Sequence, residues 1–283
     1  MTLIICNKMV ILAIISFLIF SSCNSPKKSE KDIERRMNQI ENLINENALN
    51  TAKIELDSIH ILYPRIVAAR RIAKTLEDTI IRRENSRTLV YCDSILPIKR
   101  HQADSIQKKF RFEKNEIYQT IGNYIYQALR IESNIDRTYL RAYVDENADF
   151  YLVSNFAGNY KPNHTSVKAS VEDTYAETGK LSLESSMHHS FSDTGINWEI
   201  VTFKNELAGN VPVFITQYAK EQIKITLQGK QNYVYYLTEL DKKALSETYN
   251  LWIAKKDVAM LEREIEKAKA VIERINQRYN KSE

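Results

Sequence analysis

The residues of this 283-residue chain whose types could do chemistry are five histidines, one internal cysteine, a turn crowded with acids and a tyrosine-rich stretch. His188 and His189 are adjacent, and on a strand successive side chains face opposite ways. They cannot chelate one metal together, so a solvated pair is the expectation. His164 lies in the turn Lys161-Pro162-Asn163-His164, where a hydrogen-bonded loop histidine is expected rather than a ligand. Asp145, Glu146 and Asp149 crowd the turn between Val144 and Phe150. A calcium loop needs more oxygen ligands in fixed register and a Gly that this turn lacks, so it reads as a polar turn. Cys92 has no histidine near it before His101, which favours a structural role over a catalytic thiol. No HExxH, CxxC, GxSxG or glycine-rich phosphate loop occurs in the sequence. The expectation is a protein that is not an enzyme and holds no metal or cofactor; a hydrolase would need two carboxylates about 5–9.5 Å apart in one concave site.

Aromatic residues are the remaining chemical signal. Tyr139, Tyr143, Tyr151, Trp198 and Tyr235 are the expected binding surface, because such rings offer large contact area at low entropy cost to a sugar or a protein. Tyrosine is also a good strand former, so packing stands beside binding as a reading. Tyr235 and Tyr236 must face opposite sides of a strand, and both cannot be core.

Cys23 has the most definite chemistry. Lys8, the apolar run Met9 to Phe20 and the small residues Ser21 and Ser22 precede it, the pattern of a cleaved signal. That run is too short to span a bilayer. Phe20-Ser21-Ser22-Cys23 resembles a bacterial lipobox, which implies that Cys23 is acylated and becomes the new N-terminus. Asn rather than Asp follows at position 24, which favours the outer membrane, and Lys27 and Lys28 stand where acidic surface-export signals occur. A periplasm-facing, lipid-anchored protein is expected, its membrane contact made through acyl chains.

These residues need elements to position them. With 40 basic and 36 acidic residues interspersed, the net charge is +4, and no footprint for nucleic acid stands out. Only 6 Gly and 5 Pro suit long helices. Residues 24 to 31 read as a tether, and apolar spacings of three and four then begin at Ile33, Met37, Ile40, Leu43 and Ile44 and resume at Ala52, Leu56 and Ile59. Pro64 should end this helical pair, and a helix from Ile66 should stop at Pro97. Ile106, Phe110, Ile117, Ile121, Tyr124, Ala128, Ile131 and Ile135 read as a further helical stripe, with Gly122 marking close approach of another backbone. Leu251, Ala254, Val258, Leu261, Ile265, Ala268, Ile272, Ile275 and Tyr279 form a coiled-coil seam on a helix of about 40 residues, roughly 60 Å long. The stripe through Ile106 is its expected antiparallel partner, with a homodimer through this C-terminal helix as the alternative.

Between these helices the period is two. Strands are expected around Leu140 to Val144, Phe150 to Asn155, Ser166 to Val171, Lys180 to Ser185, Asn197 to Phe203, Val211 to Tyr218, Ile223 to Leu227 and Tyr233 to Leu237. The fold class is therefore α+β: short N-terminal helices and a long antiparallel coiled-coil hairpin, with a small antiparallel β-sandwich or barrel inserted between its arms. The expected divisions are 1–22 signal peptide, 23–31 lipidated tether, 32–136 helical region, 137–238 β domain and 239–283 returning helix.

Leu56-Asp57-Ser58-Ile59 with Tyr63-Pro64, Phe110 to Lys114 with Tyr118-Gln119-Thr120-Ile121-Gly122, Arg141 to Asn147, Tyr151-Leu152-Val153-Ser154 and His164-Thr165-Ser166-Val167-Lys168 carry a resemblance. The chain resembles a group of outer-membrane lipoproteins of Bacteroidota with no assigned activity. That resemblance implies the compartment and no site residue. The functional expectation is a non-enzymatic, lipid-anchored envelope protein that presents its β domain on the helical hairpin for binding a partner, protein or glycan, or in a structural or adaptor role. The other reading is a carbohydrate- or peptidoglycan-binding module using exposed tyrosines.

Overall fold

The computed structural model describes residues 26–129, 134 and 137–280. The expected signal, Cys23, and Ile131 and Ile135 lie outside them. The described residues form two compact units: the chain up to Leu89 together with the residues from Lys267 on, and Val90–Glu266. Among them no helix is long and apolar enough to cross a membrane.

In the first unit, helix α1 (Pro26–Asn45) and helix α2 (Leu49–Leu62) are followed by helix α3, whose full range is Val67–Gln107. Ile33, Met37, Ile40 and Ile44 bury against Leu49, Ala52, Leu56 and Ile59, with Ala69, Ala73 and Ile80 from α3 completing the core. Each buried Ile contributes about 1.5–3 kcal/mol. The helical pair closes tightly because Asn47 adopts a left-handed φ of 69°, which Asn tolerates better than most residues. From Pro26 on, the expected tether is instead the first turns of α1, its residues 23–25 lying outside the described residues. Pro at a helix start costs nothing, and Lys and Glu are good helix formers without needing a buried face. Asp78, 2% exposed, accepts two hydrogen bonds from Arg278 Nη1 at 2.8 and 2.6 Å and one from the Tyr279 hydroxyl at 3.2 Å.

In the second unit, α3 continues through Pro97 rather than ending there. An interior Pro costs about 3 kcal/mol. Cys92, Leu96 and Ala103 are buried on either side of it, and Lys99 and Arg100 pair with Asp257 and Glu262, both at 2.7 Å, on helix α5 (Glu239–Asn280). Lys109 pairs with Glu247 at 2.8 Å, so one chain number rises as the other falls. Thus α3 packs antiparallel against α5, and the stripe expected to do so from Ile106 onward does not.

That stripe becomes a hairpin of strands β1 (Phe110–Glu113) and β2 (Asn123–Tyr126). The β region therefore begins near residue 110, not 137. Its spacings fitted a helix only across the seven-residue gap from Phe110 to Ile117, whereas Phe110, Phe112, Tyr124 and Tyr126 place large rings on one face at period two. A Cβ at Gly122 would overlap the Phe112 ring, so the close approach there is by a side chain and not a backbone.

The remaining strands are β3 (Tyr139–Asp145), β4 (Phe150–Gly158), β5 (Ser166–Val171), β6 (Thr174–Glu177), β7 (His188–Asp193), β8 (Ile196–Lys204), β9 (Lys224–Gln228) and β10 (Tyr233–Tyr236). They make two antiparallel sheets, ordered β1-β2-β3-β4-β8-β7 and β10-β9-β5-β6. The strand expected at Val211 to Tyr218 is a short helix, α4 (Val211–Gln217), because Pro212 opens it and Val211, Phe214 and Ile215 bury at helical spacing. The strand expected at Lys180 to Ser185 is absent; β6 and β7, on either side of that segment, were not anticipated. Leu140, Ala142, Val144, Phe150, Leu152, Val201 and Phe203 from one sheet share a core with Val167, Ala169, Ile225 and Leu227 from the other, and with Leu245 and Leu251 of α5. Thr238 caps α5 reciprocally: its Oγ1 accepts the Asp241 N–H at 3.1 Å, and Asp241 Oδ2 accepts the Thr238 hydroxyl at 2.8 Å.

Candidate functional site

Since Leu140, Ala142 and Val144 point into the core, Tyr139, Arg141, Tyr143 and Asp145 of β3 lie on the outer face of the six-stranded sheet. The register Tyr143↔Tyr151 and Tyr139↔Asn155 places Tyr151, Val153 and Asn155 of β4 beside them. Across β8 and β7 the same face carries Trp198, Ile200, Lys204, His189, Phe191 and Asp193.

The expected binding residues do not form one surface. Tyr143 and Tyr151 stack on each other, centroids 4.6 Å apart at 11°. The Tyr151 hydroxyl donates to Asp145 at 3.1 Å, and Lys204 lies 5.2 Å from its ring centroid while pairing with Asp149 at 2.6 Å. Asp149, and then Tyr151, hold the Lys204 ammonium well above its ordinary pKa. Tyr235 belongs to the smaller sheet and packs against the core. Its ring meets Tyr233, which in turn meets Phe156 edge-on at 5.1 Å. Its hydroxyl is buried without a partner among the described residues, and burial pushes its pKa well up.

Tyr139 and Trp198 do come together. With Arg137, Asn155, Phe191, Asp193 and Ile200 they line a cleft of about 310 Å³. Phe191 and Trp198 stack across β7 and β8 at 5.3 Å and 12°, which sets one wall. Arg137 forms another, its guanidinium 4.9 Å from the Tyr139 ring centroid and bidentate on buried Asp241 at 2.8 and 2.5 Å. That hydrogen-bonded carboxylate raises the Arg137 pKa against the cost of burial, so the cation is fixed. Asn155 Nδ2 is buried with no partner among the described residues. A buried amide nitrogen without a partner costs about 1–3 kcal/mol, so it stands out in the lining of the cleft.

Behind this end of the face lies a feature the sequence concealed. Glu199, between Trp198 and Ile200, points inward and is 1% exposed. It accepts the backbone N–H groups of Asn163 at 2.9 Å and His164 at 2.5 Å, and His164 Nδ1 contacts the same carboxylate. His188 Nε2 stands 3.6 Å from it. Burial pushes the Glu199 carboxyl up, but the hydrogen bonds and charge of His164 outweigh this and hold its pKa below the ordinary value. So the adjacent histidines are not a solvated pair: His188 turns to Glu199 and His189 faces solvent. Among the described residues no group of three His, Cys, Asp or Glu can hold a metal ion. The alternation along β8 could have exposed this carboxylate, since Glu199 falls on the face of Val201 and Phe203.

The acid turn is a turn. Asp145 Oδ1 accepts the N–H groups of Asn147 and Asp149, both at 2.9 Å, while Glu146 accepts the Gly122 N–H at 3.0 Å and Asp149 holds Lys204. Cys92 is free and buried in α3. A further cleft of about 760 Å³ between α3 and α5 is bounded by Lys99, His101, Lys109, Glu247, Tyr249 and Asp257. Its two lysines are paired with its two acids, which leaves those charges committed to the helix contact. Comparison with protein-family models, curated proteins and solved structures finds no match for this chain.

Proposed function

We propose that this chain is a lipid-anchored outer-membrane protein, facing the periplasm and without catalytic activity, that binds a partner through the cleft on the outer face of its six-stranded sheet. The observation that carries the reading is the convergence of Tyr139, Trp198, Phe191, Arg137 and the Asn155 amide, whose nitrogen has no partner among the described residues, on one concave site. Aromatic walls with few polar groups are the usual lining of a binding cleft. The anchor rests on Cys23 and its preceding residues, and the resemblance to lipoproteins supports the same compartment. We read α3 and α5 as a coiled-coil hairpin, supported by burial of Leu251, Leu261, Ile265, Ala268 and Ile275 along the seam, and the two sheets as a sandwich, supported by their shared core.

A glycan ligand is the second reading, favoured by Trp198 and Tyr139 standing beside Arg137, Asn155 and Asp193, an aromatic surface edged by polar groups. On this second reading, purified full-length protein should sediment with isolated peptidoglycan sacculi, and Trp198→Ala should weaken this by about 2 kcal/mol. Sedimentation indifferent to Trp198→Ala would rule out a glycan in the cleft and leave a protein partner. Cys23→Ala should move the protein out of the outer-membrane fraction; retention there would end the anchor reading.

A further inference from the structure

β7 is the last strand of the six-stranded sheet, and its outer edge pairs with no described strand. The ladder phase is set by the Thr202 N–H, which donates to the Met187 carbonyl at 2.9 Å. In an antiparallel pair such hydrogen-bonded positions alternate. With the register running from His188↔Val201 to Asp193↔Ile196, the residues His189, Phe191 and Asp193 spend their N–H and C=O groups on β8. Ser190 and Ser192 therefore direct theirs away from the sheet.

Edge strands are normally blunted by Lys, Pro, a bulge or brevity. β7 has none of these protections: His188-His189-Ser190-Phe191-Ser192-Asp193 pairs without interruption over 6 residues and is exposed from His189 onward. The other edges are shorter, β1, β6 and β10 having 4 residues each. The turn Thr194-Gly195, with φ of 48° and 83°, matches the twist of a two-residue hairpin and holds β7 firmly on β8.

We propose that β7 is the seam of a homodimer, in which the β7 strands of two copies pair antiparallel about a two-fold axis at Phe191. Two symmetric registers use the outward groups of Ser190 and Ser192. Centring on Ser190 sets His189 opposite Phe191 of the second copy. Centring on Phe191 sets Ser190 opposite Ser192, with four main-chain hydrogen bonds across the pair of positions and their symmetry mates. It also sets Phe191 opposite Phe191, and His189 opposite Asp193 twice. Directly opposed aromatic and complementary polar pairs are the stabilising units of a sheet, and they fall here at non-hydrogen-bonded positions, where side chains are closest. A two-fold seam also closes: each copy uses the one free long edge among its described strands, so the sheet does not grow into a fibre. Phe191 borders the cleft, so the seam carries one cleft on each side of the same sheet face. The dimer does not depend on what the cleft binds.

The test is sedimentation of the full chain in detergent over a concentration series, with oxidative crosslinking. Wild type should be a dimer. Ser192→Pro removes an outward N–H while sparing the ladder to β8, and should weaken association at least tenfold with an unchanged circular dichroism spectrum. In a Cys92→Ala background, Phe191→Cys should link two copies by a disulfide, since opposed Cα atoms lie about 4.5 Å apart at such a position. A wild-type monomer at every concentration, or a dimer untouched by Ser192→Pro, overturns the proposal. Linkage through Ser190→Cys but not Phe191→Cys would overturn the register.

Discussion

The two ends of one sheet face have spent their side chains differently. At the Tyr143 end, ring stacks on ring, the Tyr151 hydroxyl reaches Asp145, and Lys204 reaches Asp149. At the Trp198 end the rings line a cleft and the Asn155 amide finds no described partner. The same strands, β4 and β8, carry both ends, so the backbone does not make the difference. What lies underneath differs too: Leu152 and Phe203 are apolar core below the closed end, whereas Glu199 with His164 and His188 lies below the open one. Arg141 Nε, on the same face next to Tyr143, is also buried without a described partner, so the contrast rests on how the rings are used, stacked on each other at one end and lining a cleft at the other.

The largest expected effects test the undersides. Glu199→Ala strands two imidazoles and two backbone N–H groups in the core, and should cost about 3–5 kcal/mol in urea unfolding. Phe203→Ala should cost a similar ~3–5 kcal/mol by cavity formation. The two losses separate by pH. The Glu199 pKa is lower folded than its ordinary 4.5, so its stabilisation is fully present above that value and is lost as pH falls through the folded pKa. The Glu199→Ala penalty should therefore shrink on acidification below about pH 4.5, while the Phe203→Ala penalty should not follow that titration. A Glu199→Ala penalty constant across this range would mean that the carboxylate is not held charged in the core.

Intermediate effects test the faces. Trp198→Ala should weaken sacculus or partner binding by about 2 kcal/mol, as for a buried aromatic anchor. Tyr143→Ala should lower stability by at least the ~0.5–1.5 kcal/mol that a stacked pair adds, and leave binding unchanged. If Tyr143→Ala weakened binding as much as Trp198→Ala, the two ends would be one site and the contrast between them would fail.

Sequence periodicity disclosed the elements whose burial is regular. Ile33 to Ile59 and Leu140 to Val144 follow a single period and a single core, and both are as expected. It misled where two periods overlap. Phe110, Ile117, Ile121 and Tyr124 satisfy helical spacing only by omission, and the pairing of Phe110 with Tyr126 is a long-range fact that no local window contains. Pro97 failed as a stop because packing of Cys92, Leu96 and Ala103 overrides a local cost. Of the five aromatic residues expected at a binding surface, Tyr139 and Trp198 share the cleft. Alternation says which face a ring takes but not whether another ring will lie on it, as Tyr151 lies on Tyr143. Asn155 and Phe191 were illegible as site residues, since neither their types nor their spacings signal chemistry.

The smallest expected effect is the most discriminating. Asn155 carries a buried amide nitrogen without a described partner, which a fold has no reason to retain for stability. Asn155→Val removes the polar group, suits a strand, and should leave stability unchanged or raise it by up to about 1 kcal/mol. Binding should fall in the same protein, because the amide that costs the fold something is then spent on the ligand. Thermal unfolding and sacculus or partner binding, measured on one preparation, read both quantities. A loss of stability would mean that the amide has a structural partner, and the Trp198 end would be as closed as the Tyr143 end. Stability gained with binding unchanged would leave the cleft open but move its ligand contacts away from β4.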